Sequence, residues 1–565
     1  MRKFNILSFT GWNAVFLLSI FYANIALAGV GNGDFSPWLE RRHRQKKIEL
    51  NEYTVRERIQ EERIKNSRLS GVQLPSSAVI IARDINTEEY GDWSVLEDGT
   101  RIWNFDIHSP GAWGLVAVLR DFQLPEGVEL YFDNEVNGEV EGPITSAHNR
   151  THGMFTSRGV PGEDLLIRLI VPADVEIDSA PFSALSINAL FNINTQDDRP
   201  EIYGIGDGNS LGENVDVACY DNDDDPENTV DEIIPPHVDW HNQIASVGVI
   251  RLAGGLCHAS GFLVNNTRMD GKPLFMTASH TFRGCLKKEP NDDGITVEML
   301  GYSFTSLQRE MQIYWNYENA TCRHYWDDEA GGAGSTPWPT DMTQGGTVVE
   351  EAIYPDSAGG GMAFSPEMAI LELDSKPDVE YGVYYAGWDH MGNETPTVGV
   401  HHARGEVKRL SIDVDNFGYY TNTGNNPYKI FTEFELGVTE SGSSGSPLFN
   451  KFGHAIGTCD SRDIYTALHD TWDEDDYQFK DHLDPMGYGH GSEDGMASAQ
   501  LGCTRVRDSS SMSNGTLSGC IIIARENFHV AASSSGSVTF TASDRVLLRP
   551  GFYTSPGSTF TAKVN

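Results

Sequence analysis

Residues 437–449 read GVTESGSSGSPLF, serines and glycines run together and closed by a proline and two apolar residues. Two readings compete. A Gly/Ser cluster ordinarily marks a loop, and so short a string as GSSGS arises often by chance. The same letters also suit a serine held in a tight turn with its hydroxyl aimed at a carbonyl, and that reading requires a base and an acid elsewhere in the chain.

Length and charge set the frame. At 565 residues with 39% apolar content the chain is too long for one typical domain and can bury at least one sizeable core. Its 81 acidic against 41 basic residues give a net charge of −40. That balance opposes binding to nucleic acid or to an anionic membrane. MRKFN followed by GWNAVFLLSIFYANIALA, ending in Ala26-Leu27-Ala28, reads as a secretion signal over residues 1–28. No later segment is apolar enough to span a bilayer, so a secreted, extracellular protein with no stable membrane insertion is expected. Export permits disulfides, and the seven cysteines suit a mostly paired set.

Between the signal and residue 70 lies ERRHRQKKIELNEYTVRERIQEERIKNSRLS, where Ile48, Tyr53, Ile59 and Ile64 recur at loosely helical spacing among charges of both signs. A solvated helix is expected. From about residue 76 the pattern turns to short strand-like runs, AVIIARDI, WGLVAVLRDF, GVELYFD and DLLIRLIVPA, which define a β-rich N-terminal module ending near QDDRPEIYGIGDGNSLGEN. SVGVIRL, ASGFLVNN, PLFMTAS, EMQIYWNY, MAILELD and TVGVHHARG continue the strand signal and point to an all-β barrel or sandwich. TWDEDDYQFKDHLDP then reads as a short helix stopped by Pro485. Beyond residue 500, short alternating strands with Gly, Ser and Pro suggest a small, solenoid-like β module.

Ser444 finds its partners in the middle region. PLFMTASHTF puts His280 at a strand exit, where an imidazole can face a cleft, and Glu367 stands at the leading edge of MAILELD. The order His, acid, Ser is that of two-barrel proteases of the chymotrypsin type; an α/β-hydrolase would place Ser first.

Over residues 208–490 the phrases VDVACYD, CHASGFLVNN, LFMTASH, IYWNYENATCR, YYAGWD, VGVHHARGEVKRLS, GVTESGSSGSPLF and DHLDP resemble the lysyl endopeptidase family of secreted bacterial serine proteases. The resemblance implies a trypsin-like double β-barrel, with Ser444 as nucleophile, His280 as general base and the N–H groups of Gly442 and Ser444 as an oxyanion hole. It implies a monomer acting on protein or peptide substrates without a cofactor. Where relatives have an Asp as the triad acid this chain has Glu367, with Asp356 of YPDSAGGG in reserve. Asp463 in SRDIYTALHDTW falls at the family's S1 acid, a charge that selects Lys or Arg at P1. Asp460 in IGTCDSR stands where relatives have a His.

Ser443 stands where pancreatic relatives carry an Asp that pairs with a freed N-terminal amine, so activation by that salt bridge is not expected. Segment 29–207 corresponds to a pro-region. The junction aligned with the mature start of relatives falls near Asp207-Gly208, with no Lys before it, so self-cleavage after Lys is not expected at that bond. By resemblance Cys219 pairs with Cys322 and Cys257 with Cys285, while Cys459 loses its partner to Glu213 and is either free or paired outside the domain. Cys503 and Cys520 lie close enough in the tail, residues 500–565, to bridge. The His401-His402 pair and the acidic run 473–476 lack metal-site spacing, and no metal is expected there; DNDDDPEN at 221–228 reads as a solvated loop. The alternative to a protease is a catalytically weak or inactive binding protein on a protease fold, suggested by Glu367 and the altered pocket loop.

Overall fold

The computed structural model describes residues 48–49, 52–191 and 215–564 apart from short breaks, the longest being 221–229, 323–337, 354–365 and 421–428. The signal segment 1–28 and the junction at Asp207-Gly208 lie outside the described residues. Among those described, no helix is long and apolar enough to cross a membrane.

The N-terminal module is a β-sandwich. A six-stranded sheet centred on Arg101–His108 and Asp164–Val171 faces a five-stranded sheet centred on Ala184–Leu190 and Gly114–Arg120. Alternate residues point inward, as the strand period requires: Trp103, Phe105 and Ile107 from one sheet meet Leu115, Ala117 and Leu119 from the other in a single core. The expected helix forms over Glu52–Asn66, but it is not solvated all round. Val55 and Ile59, four apart on one face, are buried in the sandwich core, whereas Ile64 remains exposed. Ile48 is not part of the helix; it pairs as a short parallel strand with Ile107.

Residues 215–497 hold two larger sheets. The first has seven antiparallel strands and runs, in order of pairing, Met342–Gln344, Gln312–Tyr314, Val247–Leu252, Cys257–Val264, Leu274–Thr277, Met368–Leu373 and Gly346–Ala352. The second has ten, with Thr397–His401, Pro447–Phe449, Ala455–Ser461, Ile464–Ala467 and Lys429–Phe431 adjacent in that order. Near-continuous burial along Cys257–Val264 and Thr397–His401 shows strands covered on both faces, the reason their sequences run apolar and small instead of alternating. Cys219 is joined to Cys322 and Cys257 to Cys285. In a chain-entropy picture such bridges stabilise by about 3 to 5 kcal/mol each for loops of this length. The helix read from TWDEDDYQFKDHLDP is confined to Phe479–Leu483, ending before Asp484 and Pro485.

The tail builds parallel sheets from consecutive segments: Arg505–Arg507, Gly515–Ala524, Val538–Leu548 and Phe560–Val564 in one, Ser511–Met512, His529–Val530 and Tyr553–Thr554 in the other. Successive coils stacking in parallel over a small core of Leu517, Ile522, Phe528, Val538 and Phe540 make a solenoid. Cys503 and the side chain of Cys520 lie outside the described residues.

Candidate active site

Register brings the first two side chains together. The strands Leu274–Thr277 and Met368–Leu373 are antiparallel with Thr277 opposite Ala369, so the loop leaving one strand lies beside the residue entering the other. His280, at the start of the short helix His280–Leu286, thereby meets Glu367, its Nδ1 2.5 Å from Oε2. Both are nearly enclosed, with side chains 7% and 14% exposed. Burial opposes ionisation of Glu367, but the His280 ring and Lys429 outweigh it and hold the carboxyl below its ordinary value. Asp356, the reserve acid, lies outside the described residues.

His280 Nε2 is buried and has no hydrogen-bond partner among the described residues. It is the nitrogen left to face a hydroxyl once Nδ1 is engaged by a carboxylate. The Ser444 turn abuts the same region: a Cβ on Gly445 would sit 2.2 Å from Thr277 Oγ1 and 2.7 Å from Ala278 N, in the segment leading into His280. Only glycine fits there, and its φ of +85° is in the left-handed range as well. No hydrogen bond joins Ser444 Oγ to His280 among the described residues, and such contacts commonly tighten only with substrate bound.

The turn itself is held by its neighbours. Ser260 N–H donates to Ser444 O at 2.8 Å and Ser260 Oγ to Gly442 O at 2.8 Å. Gly442 has φ +96° and packs on the backbone of His402–Gly405, with Arg404 N–H donating to Ser441 O at 2.6 Å. The amides of Ser443, Gly445 and Ser446 are all used internally, whereas those of Gly442 and Ser444 have no acceptor among the described residues. Two free, neighbouring N–H groups beside a serine are what a developing oxyanion requires.

Ser443 is anchored by His401, whose Nδ1 lies 2.8 Å from Ser443 Oγ and whose Nε2 lies 2.9 Å from Ser411 Oγ. His402 Nδ1 meets Glu406 O at 2.8 Å. Both rings are buried, and desolvation keeps them neutral, pushing His401 down to about 3. The pair is therefore structural. The run 221–228 and residues 474–476 of the other acidic run lie outside the described residues. Asp413, Asp415 and Glu435 do bring three carboxylates within 4.8 Å of one another, two of them exposed.

Behind Glu367 lies a network the sequence did not reveal. Thr466 Oγ1 accepts from Glu367 N–H at 3.0 Å and from Lys429 Nζ at 2.8 Å, and donates to Asp460 Oδ1 at 2.7 Å. Lys429 also pairs with Asp460, both being buried. Burial pushes the Asp460 carboxyl up to about 6, Lys429 working against that and Glu367 with it.

Asp463 turns between the strands Ala455–Ser461 and Ile464–Ala467, in the left-handed region at φ +57°. Its Oδ1 accepts from Thr439 Oγ1 at 3.0 Å, and its own N–H donates to Thr439 Oγ1 at 2.7 Å, which ties the turn to the segment just before the Ser444 loop. The carboxyl is one-third exposed, and desolvation raises its pKa. Cys459 is a buried thiol, unbridged among the described residues, with its Sγ 3.3 Å from Ser461 O.

Two largely antiparallel β-sheets that supply a histidine, a carboxylate and a glycine-flanked serine turn define an all-β protease of trypsin-like fold. Residues 208–461 match the description "Lysyl endopeptidase, C-terminal domain" and residues 57–188 "Lysyl endopeptidase N-terminal domain". The chain belongs to the lysyl endopeptidase family and is a protease. It is also similar to the MamO protease domain from Magnetospirillum magneticum in its apo form, at 10% identity over 40% of this chain and 94% of that one. The TM-score of 0.20 is too low for that likeness to bear on the fold.

Proposed function

We propose that the protein is a secreted serine endopeptidase that cleaves after Lys or Arg by a Ser444-His280-Glu367 triad. The observation that carries this reading is the 2.5 Å contact of His280 Nδ1 with Glu367, which leaves the buried Nε2 without a hydrogen-bond partner among the described residues. As Ser444 Oγ attacks the scissile carbonyl, His280 Nε2 takes its proton, and the imidazolium is stabilised through Nδ1–H by the Glu367 carboxylate. Negative charge gathers on the carbonyl oxygen, toward the free amides of Gly442 and Ser444. His280 then returns the proton to the leaving amine, and the acyl-enzyme is hydrolysed by a water that His280 deprotonates in turn. Asp463 is the acid for a cationic P1 side chain. Its tie to Thr439 fixes its place beside the loop that carries Ser444, although it lies just past the matched span 208–461. Export is supported by the leader-like sequence of residues 1–28 and by the two disulfides.

The test is initial rates on matched peptides bearing Lys, Arg, Glu or Phe at P1, with Ser444→Ala beside the wild type. Cleavage after Lys or Arg that vanishes in the variant is expected. Cleavage after another residue refutes the role of Asp463 alone, and no cleavage at all refutes the mechanism in favour of a binding protein.

A further inference from the structure

Ser443 has no charge to offer a freed amine, so the conformation of residues 440–444 has to be set from within the protease. The turn is short: Ser443 N–H donates to Glu440 O at 2.9 Å, and Glu440 N–H to Ser443 Oγ at 3.0 Å. Those bonds close the turn on itself but do not fix the peptide between Ser441 and Gly442. In a trans peptide the C=O and N–H point in opposite directions. Whatever holds Ser441 O therefore also aims Gly442 N–H, one of the two free amides beside Ser444.

Arg404 holds it. Its N–H donates to Ser441 O at 2.6 Å, and a Cβ on Gly442 would lie 2.8 Å from the same nitrogen, so the two segments touch backbone to backbone. Arg404 makes this contact at φ +57° and ψ 9°, in the left-handed region that a residue with a long side chain seldom enters and that glycine occupies at lower cost. A strained arginine where glycine would serve directs attention to its side chain. That side chain reaches the same turn: Nη2 donates to Glu440 Oε1 at 2.9 Å, the two side chains being only 16% and 13% exposed. A charge-assisted bond shielded in this way is stronger than an ion pair on an open surface. Arg404 thus grips two adjacent residues, Ser441 by its N–H and Glu440 by its guanidinium. Ser260 Oγ, accepting from His402 N–H at 2.9 Å and donating to Gly442 O at 2.8 Å, holds the next residue along. None of these hydrogen bonds draws on residues 48–191, so the hold is built within the protease half.

We infer that Arg404 is a positioning residue for the oxyanion hole: it clamps residues 440 and 441 so that Gly442 N–H faces the reacting carbonyl, and the strain in its backbone is kept for that task. It touches neither the substrate nor the reacting atoms. The inference rests on Ser444 being the nucleophile, as proposed above.

The experiment compares wild type with Arg404→Met, Arg404→Lys and Arg404→Gly, each expressed as the full chain, with Ser444→Ala as the blank. It measures kcat and KM on a peptide bearing the P1 residue that wild type cleaves best, thermal unfolding, and inhibition by the matching peptide aldehyde and peptide alcohol. With the aldehyde, Ser444 Oγ bonds to the carbonyl carbon, its proton passes to His280, and the π pair moves onto the oxygen, which then lies in the oxyanion hole; the alcohol binds without forming that adduct. Arg404→Met is expected to lower kcat and aldehyde affinity together by about 10- to 100-fold, with KM and alcohol affinity within about twofold of wild type. Arg404→Lys should recover most of the loss. Arg404→Gly keeps the N–H and relieves the backbone, so it should unfold no lower than wild type and yet be as slow as Arg404→Met. Wild-type kcat in Arg404→Gly or in a folded Arg404→Met overturns the inference, as does an equal loss of aldehyde and alcohol affinity; should Arg404→Met not fold, Arg404→Gly decides. Wild-type turnover no faster than the Ser444→Ala blank means that the triad itself has failed, and the inference falls with it.

Discussion

Glu367→Gln is the substitution that most directly tests the site. The carboxylate oxygen lies 2.5 Å from His280 Nδ1 in a pocket that leaves the acid side chain only 14% exposed. A glutamine has the same length, but its amide nitrogen cannot accept from Nδ1–H and it carries no charge to balance an imidazolium. The ring then favours the tautomer with its proton on Nε2, the wrong nitrogen for a base. In chymotrypsin-type triads the equivalent loss costs about 10⁴-fold in kcat, or roughly 5 kcal/mol of transition-state stabilisation. Glu367→Asp keeps the charge but withdraws it by about one C–C bond, ~1.5 Å, which opens the contact beyond hydrogen-bonding range and predicts a loss of about 100-fold. The assay is kcat/KM on a Lys-P1 peptide, with thermal unfolding to confirm that each variant is folded and Asp356→Asn in parallel. The expected order is wild type and Asp356→Asn together, then Glu367→Asp, then Glu367→Gln. A Glu367→Gln enzyme within tenfold of wild type, or an Asp356→Asn enzyme as impaired as that expected of Glu367→Gln, would refute Glu367 as the triad acid.

Three other perturbations have signed outcomes. Lys429→Met leaves Asp460 and Glu367 without their shared cation, so Glu367 should hold its proton to higher pH, the acid limb of the pH–rate profile should move up, and stability should fall by about 3 to 5 kcal/mol, read by denaturant titration. Glu310 is raised by burial from 4.5 to about 8, so between those pH values the folded protein keeps a proton that the unfolded chain has lost, and stability falls as pH rises. Glu310→Gln should remove most of that fall, worth up to about 5 kcal/mol, in melts compared at pH 5 and pH 9; identical slopes in both proteins would show that Glu310 ionises freely. Gly442→Ala places a methyl 2.8 Å from Arg404 N at φ +96° and should lower kcat more than KM, because it displaces an oxyanion donor while leaving the P1 pocket alone.

What could be read from the sequence, and what could not, divides by the range of the interaction. His280, Ser444 and Glu367 each sit at a strand end beside a short phrase of small or turn-forming residues, and that local pattern is visible in one dimension. The N-terminal helix was visible too, but its register was not: the charges around Val55 and Ile59 hid a narrow apolar face that matters only because a sandwich lies beneath it. The Lys429-Thr466-Asp460 network is assembled from neighbouring strands whose pairing no spacing announces, so Asp460 looked like a missing histidine when it is one end of a buried ion pair. The sequence excluded His401 as a metal ligand but gave it no other role, because its partners, Ser443 and Ser411, come from elsewhere in the chain.

The contact of the N-terminal sandwich with the first protease sheet, where Val116 and Leu190 share a core with Leu252 and Cys257, was hidden for a different reason. Part of it is made by the backbone carbonyls of Ala253, Gly254 and Gly255, which accept from Asn188 Nδ2 and Ser77 N–H, and glycines carry no side-chain pattern to read. Gly254 and Gly255 both have positive φ, and a Cβ on either would meet a side chain of the N-terminal module, Asn188 or Leu190, a fit that exists only once the two halves are packed together.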